Sequence, residues 1–265
     1  MKIKILLLFT LLFLNISGKS QEKPFDLYLL IGQSNMAGRG TVEARDTIIP
    51  ERVFTLDKNN KWVPAQDPIH FDKSVAGVGL GRTFGIEMAK ANQEKIIGLI
   101  PCAVGGSSIE AWTPGGFHDQ TNSYPWDDME KRLKIALQKG KLKGILWHQG
   151  ESDSNPEKCK TYSEKLEVLI SEVRKLAGDE TIPFVAGELG RFKIKENSKK
   201  FAKEGISPAK TVVKETKTLM KKDNNAAFVS SRGLHHRGDN THFDSKSYRT
   251  FGKRYAVKMT QLQKK

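Results

Sequence analysis

Two cysteines in 265 residues are too few for the disulfide framework of a small secreted scaffold. Neither Cys102 nor Cys159 has a paired histidine that would suggest a thiol nucleophile. One bridge stays open: each follows a strand-like segment, and an exported chain could join them if their Cα atoms came within about 7 Å. Acidic residues are in deficit, 30 against 44 lysines and arginines, for a formal net charge of +14, to which Lys2, Lys4 and Lys19 contribute. A basic surface suits acidic polymers such as uronic-acid-bearing polysaccharide, or nucleic acid. The lysines are spread over 193–203, 217–222 and the terminal Lys264 and Lys265, without interleaved aromatics or a nucleic-acid motif. Solvated helix faces, and no nucleic-acid partner, are therefore expected. No internal repeat, linker or break in composition divides the chain, so a single domain over 21–265 is expected. Beyond the N-terminus no apolar run is long enough to span a bilayer, so no membrane span is expected in the mature chain.

Residues 1–20 differ in kind. Lys2 and Lys4 form a positive start, residues 5–14 are almost wholly apolar, and Ser17, Gly18 and Ser20 offer small residues for cleavage. This pattern predicts a secretory signal peptide and a periplasmic or extracellular protein. No cysteine stands at the junction to carry a lipoprotein anchor.

The most informative stretch is residues 27–40, LYLLIGQSNMAGRG. Leu27, Leu29, Leu30 and Ile31 predict a buried parallel strand running into Gly32-Gln33-Ser34-Asn35-Met36. A serine at a strand-to-helix turn, preceded by a glycine that permits the bend, is how α/β hydrolases present a nucleophile. The following helix is expected to aim its N-terminal amides at the reacting centre. Met36 stands where a G-x-S-x-G elbow would have its second glycine.

Three further blocks follow strand-like runs or precede a helix. Residues 101–108, PCAVGGSS, come after Ile96, Ile97, Leu99 and Ile100; the paired Gly105 and Gly106 let backbone approach a ligand. Residues 147–153, WHQGESD, come after Ile145 and Leu146. Residues 239–243, DNTHF, hold Asp239 three positions before His242, a spacing that lets the carboxylate reach Nδ1 and leaves Nε2 free to face a serine.

Taken in order, GQSN, AVGGSS, WHQGESD and DxxH resemble the SGNH hydrolase superfamily, and more narrowly carbohydrate esterase family six and the sialic-acid-specific acetylesterase-like group. The resemblance covers nearly all of residues 26–258. It implies Ser34 as nucleophile, His242 as general base and Asp239 as the partner that orients it. It implies an oxyanion hole made by the Ser34 N–H, the N–H of Gly106 (with Gly105 as substitute) and the Gln149 side-chain amide. The wider superfamily has Asn in the third block; Gln149 is shared by the narrower group.

Strands alternating with helices predict an α/β fold, a three-layer α/β/α sandwich around a mostly parallel sheet of about five strands, SGNH hydrolase-like and flavodoxin-like. The strands are expected at 27–31, 96–102, 142–147, 183–189 and 226–230. Helices are expected at 80–92, 126–139, 162–176 and 245–262, with a lysine-rich, mostly helical region before residue 222. The polar stretch 40–78 reads as loop and short hairpin.

Other sites weigh less. His235, His236, Asp239 and His242 lack the i, i+4 spacing of zinc hydrolases, so no metal and no organic cofactor are expected. His70 and His118 lie in loops and are expected at the surface. Glu151 and Asp153 sit two apart in one loop, with no second acid opposite for glycoside hydrolysis; Glu151 is expected to brace Gln149 or its loop. Trp112 either lines a sugar site or belongs to the core. No long apolar segment is present to cover a lipid chain. The reading is an exported serine esterase that removes O-acetyl groups from carbohydrate, with acetylated xylan first. A sialate O-acetylesterase and a catalytically inactive sugar-binding relative are the alternatives, the latter disfavoured because every triad and oxyanion position is filled.

Overall fold

The computed structural model describes residues 23–265, so the expected signal peptide, 1–20, lies outside the described residues. At the centre is β1 (Phe25–Gly32), buried at every position except Asp26. A strand covered on both faces must be apolar on both, and its side chains alternate accordingly. Leu27, Leu29 and Ile31 join one core, while Tyr28 and Leu30 join the other.

The sheet has seven strands: β1, β2 (Val53–Leu56), β3 (Trp62–Pro64), β4 (Ile96–Pro101), β5 (Gly140–His148), β6 (Phe184–Gly187) and β7 (Ala226–Val229). Their order is β3-β2-β4-β1-β5-β6-β7. All neighbours are parallel except β2 and β3, which form an antiparallel hairpin. The five expected strands are present, and the count of about five is corrected to seven. The two additional strands form the short hairpin expected in the polar stretch, and this hairpin joins the sheet through β2. Val53–Leu56 is only four residues long and aligns with Ile97–Leu99 of β4.

Helices cover both faces. On one side lie α2 (Gly81–Ala91) and α7 (Ser245–Gln263), which bring Phe84, Met88, Tyr248, Phe251, Tyr255 and Met259 onto Tyr28, Leu30 and Leu99. On the other lie α3 (Pro125–Leu137), α4 (Tyr162–Ala177) and α6 (Pro208–Lys222), with Met129, Leu133, Leu166, Leu169 and Val212 on Leu27, Leu29 and Ile145. Leu166, Leu169, Ile170 and Val173 recur at helical spacing and are all buried on α4, which stops at Gly178 in the left-handed region. Each such leucine contributes roughly 1.5–3 kcal/mol by leaving water.

The lysine-rich region forms two helices, α5 (Arg191–Lys200) and α6. Lys195, Lys199, Lys200, Lys210, Lys214 and Lys217 are exposed on them. Cys102 and Cys159 are both free, so no bridge joins them, and burial pushes the Cys102 thiol up to about 11. His70, expected at the surface, is 3% exposed, and burial lowers its pKa to about 4. Among the described residues no helix is long and apolar enough to cross a membrane.

Candidate active site

Sheet order brings the first three blocks together. Strands β4, β1 and β5 are adjacent, so their carboxyl ends present residues 101–108, 32–36 and 147–153 side by side. Backbone bonds lock this register: Val104 N–H donates to Gly32 O, and Gln33 N–H donates to His148 O, both at 2.9 Å. Gly32 has φ +128, and a Cβ there would collide with the His148 carbonyl, so glycine is required for the turn. Ser34 opens α1 (Ser34–Ala37) and is 7% exposed. That helix is a single turn, so it offers local N–H groups rather than an extended dipole.

The fourth block comes from farther away. Residues 230–244 leave β7 near one edge of the sheet and return over β1, held by a bridge between His236 and Phe243. His242 Nδ1 lies 2.8 Å from Asp239 Oδ2, and His242 Nε2 lies 3.0 Å from Ser34 Oγ. Asp239 Oδ1 also accepts the backbone N–H groups of Thr241 and His242, at 2.9 and 2.8 Å. Partial burial alone would raise the Asp239 carboxyl; these bonds from His242 and Thr241 outweigh it and hold it at about 2. A carboxylate accepting from Nδ1–H leaves Nε2 with a lone pair aimed at the serine hydroxyl.

The two glycines of the second block differ. The Gly105 N–H donates to Asp72 Oδ2 at 2.8 Å, and Asp72 is held by a buried pair with Arg39, NH2 to Oδ2 at 2.6 Å. Gly106 has φ +89, and its N–H meets no acceptor among the described residues. Gln149 does not present a spare donor. Its Nε2 lies near three acceptors, Gln33 Oε1 at 3.1 Å, Ser107 O at 3.0 Å and Asp153 Oδ2 at 2.5 Å.

The Glu151 side chain makes no bond to Gln149. It contacts Asn35 and His148 instead, while Asp153 holds Gln149. Trp112 is 1% exposed and belongs to the core; it packs edge-on against Trp147 and donates to Ser107 Oγ at 3.0 Å, supporting the second block. His118 Nε2 lies 3.3 Å from Gly105 O, and His236 Nδ1 accepts from Gly238 and Asn240 N–H at 3.0 and 3.2 Å. Among the described residues no group of three His, Cys, Asp or Glu is placed to hold a metal ion. The pairing of Arg39 with Asp72 carries no local motif, since the two lie 33 positions apart, whereas Asp153 stands in the WHQGESD block, four residues from the Gln149 that it holds. Asn35 stands inside the GQSN block, and its neighbour Ser34 is the only signal that could have marked it.

A seven-stranded α/β sheet with serine, histidine and aspartate hydrogen-bonded at its carboxyl edge is an arrangement that serine hydrolases share. More narrowly, the chain belongs to the carbohydrate esterase, sialic acid-specific acetylesterase family, matched over residues 24–261. A curated relative, the probable carbohydrate esterase At4g34215 of Arabidopsis thaliana, is 32% identical over 177 residues, 59% of this chain and 65% of that protein's own length. The solved structure of the Arabidopsis thaliana protein AT4G34215 superposes with a TM-score of 0.76 at 25% identity, covering 90% of this chain and 99% of the other. The fold is also shared with NanS, at a TM-score of 0.71 and 16% identity over 91% of this chain and 98% of the other. It is shared again with XAC1771, a carbohydrate acetylesterase from Xanthomonas citri, at a TM-score of 0.66 and 20% identity over 89% of this chain and 56% of the other.

Proposed function

We propose that this protein is an exported serine esterase that removes O-acetyl groups from carbohydrate through an acetyl-enzyme on Ser34. The observation that carries the reading is the chain of hydrogen bonds from Asp239 through His242 to Ser34, at 2.8 and 3.0 Å. His242 Nε2 takes the Ser34 proton as Oγ attacks the ester carbonyl, and the carbonyl π electrons move onto oxygen. The tetrahedral oxyanion is received by the Ser34 and Gly106 N–H groups, each such donor worth about 10²–10³ in rate. Collapse breaks the bond to the sugar oxygen, which leaves with the proton from His242. Water then attacks the acetyl-enzyme with His242 again as base, releasing acetate and restoring Ser34. Gln149 joins the hole by exchanging one of its three competing acceptors for the oxyanion, since two hydrogens cannot serve all three.

Acetylated xylan is the first substrate in this reading. De-O-acetylation of an acidic sugar is a second reading. It is favoured by two cations beside the catalytic loop, Lys193 with Nζ 3.5 Å from Thr241 Oγ1 and Arg237 with Nε 3.9 Å from Asp239 Oδ2. The family description, sialic acid-specific, points the same way. Rates on acetyl, butyryl and octanoyl 4-nitrophenyl esters, then on acetylated xylan and acetylated sialoglycan, test both. Acetate is expected to exceed butyrate by roughly 10-fold or more, since pocket size discriminates by about 1–3 kcal/mol per methylene. A preference for octanoate overturns the acetylesterase reading, and the faster of the two polymers decides between xylan and sialoglycan.

A further inference from the structure

Asn35, the residue after the proposed nucleophile, is 0% exposed and uses every hydrogen-bonding position of its amide. Nδ2 donates to Thr241 O at 3.0 Å and to Glu151 Oε1 at 2.5 Å. Oδ1 accepts from Phe243 N–H at 3.3 Å and from the Tyr248 hydroxyl at 2.7 Å. A backbone carbonyl and a carboxylate can only accept, and a backbone N–H can only donate, so the amide has one orientation. Thr241 O belongs to the peptide before His242, and Phe243 N–H to the peptide after it. One side chain therefore grips both peptide groups that set the backbone of His242.

Glu151 is the support beneath this grip. Burial pushes its carboxyl up, but the neighbouring His148 ring and the Asn35 bond outweigh it and hold it below the ordinary glutamate range. The Tyr255 hydroxyl spends its hydrogen on Trp147 O at 2.9 Å, so its 3.2 Å contact with His148 Nδ1 makes that nitrogen the donor. His148 Nε2 then faces Glu151 Oε1 at 3.8 Å. The network runs from β5 through Glu151 and Asn35 to the loop that carries the base.

We infer that Asn35 and Glu151 are positioning residues: Asn35 clamps the peptides on either side of His242 so that Nε2 meets Ser34, and Glu151 holds the Asn35 amide in the clamping orientation. The inference rests on the esterase reading above. A misplacement of about 1 Å at a reacting group costs roughly 10²-fold in rate. Packing of Phe243 against Phe192, Tyr248 and Phe251 anchors the same loop but does not fix the rotation of the peptides about His242.

The test compares Asn35→Ala, Glu151→Ala and Glu151→Gln with the full-length protein, using 4-nitrophenyl acetate and a fluorophosphonate that titrates reactive Ser34. Per titrated site, both alanine variants are expected to lose about 10- to 100-fold in kcat with little change in KM. Glu151→Gln keeps a carbonyl acceptor for Asn35 Nδ2 and is expected to recover most of that loss. A role in stability alone would lower the number of titratable sites and leave kcat per site at the wild-type value, which overturns the inference. If Asn35→Ala does not fold, the two Glu151 variants carry the comparison. Wild-type protein that hydrolyses no ester, or Ser34→Ala that hydrolyses it normally, overturns the esterase reading instead. The clamp then stands or falls on amide hydrogen exchange at Phe243. Exchange there is expected to quicken in Glu151→Ala relative to Leu29 and Ile31, and an unchanged Phe243 overturns the inference.

Discussion

At the scale of single residues, the site works by fixing what each polar group can do. Asp239 accepts three hydrogen bonds, two from backbone and one from imidazole, so its charge is held on one side of the ring. Its pKa near 2 lies below the value of about 3.9 for an unfolded aspartate. A depressed folded-state pKa adds stability that is fully present above the unfolded pKa and is lost as pH falls through the folded one. The stability gap between wild type and Asp239→Asn, measured by denaturant midpoints, should therefore be full at neutral pH and close between about pH 4 and about pH 2. A gap that widens on acidification contradicts the assignment. Gln149 makes a different test. If its amide is recruited by the oxyanion, Gln149→Ala should lower kcat by about 10²-fold while leaving KM nearly unchanged. A loss confined to KM would place the side chain against the sugar.

At the scale of elements, the strand-to-turn junctions matter more than the helices. Gly32 ends β1 beside the His148 carbonyl, with a backbone that only glycine adopts freely. Gly32→Ala forces either the turn or β5 to move, with an expected loss of at least about 2 kcal/mol in unfolding free energy and of esterase activity with it. Wild-type stability in that variant would show that the junction is not the constraint described. The same junctions explain what could be read from the chain. Apolar runs ending in GQSN, AVGGSS and WHQGESD mark long buried strands and their polar ends, because a strand buried on both faces leaves an uninterrupted signature. β2 and β3 escaped as sheet members because four- and three-residue strands at a sheet edge carry little periodicity. The lysine-rich region carries a helical signal without a marked division, and residues 201–207 break it into α5 and α6.

At the scale of the whole molecule, topology does what no local motif can. Placing β1 between β4 and β5 gathers three blocks from residues 32 to 153, and the loop after β7 crosses back to bring His242 within 3.0 Å of Ser34, 208 positions away. Ser34, Asp239 and His242 were legible as candidates because each sits in a short block with its own chemistry, and the structure brings the three into hydrogen-bond contact. Trp112, His70 and Glu151 were less so, since burial and partners are settled by distant segments: Trp147 for the first, Asn35 for the last. Arg39 and Asp72 were invisible, because a buried pair between two loops leaves no spacing to find. The central claim is that Ser34 carries the acetyl group during turnover. Wild-type protein mixed with a fast acetyl ester, quenched in acid within the first turnovers and digested, should yield an acetyl adduct on the peptide containing Ser34. Ser34→Ala should show no adduct and lose at least about 10³-fold in kcat while remaining folded. An adduct on another peptide, or near-normal turnover by Ser34→Ala, would contradict it.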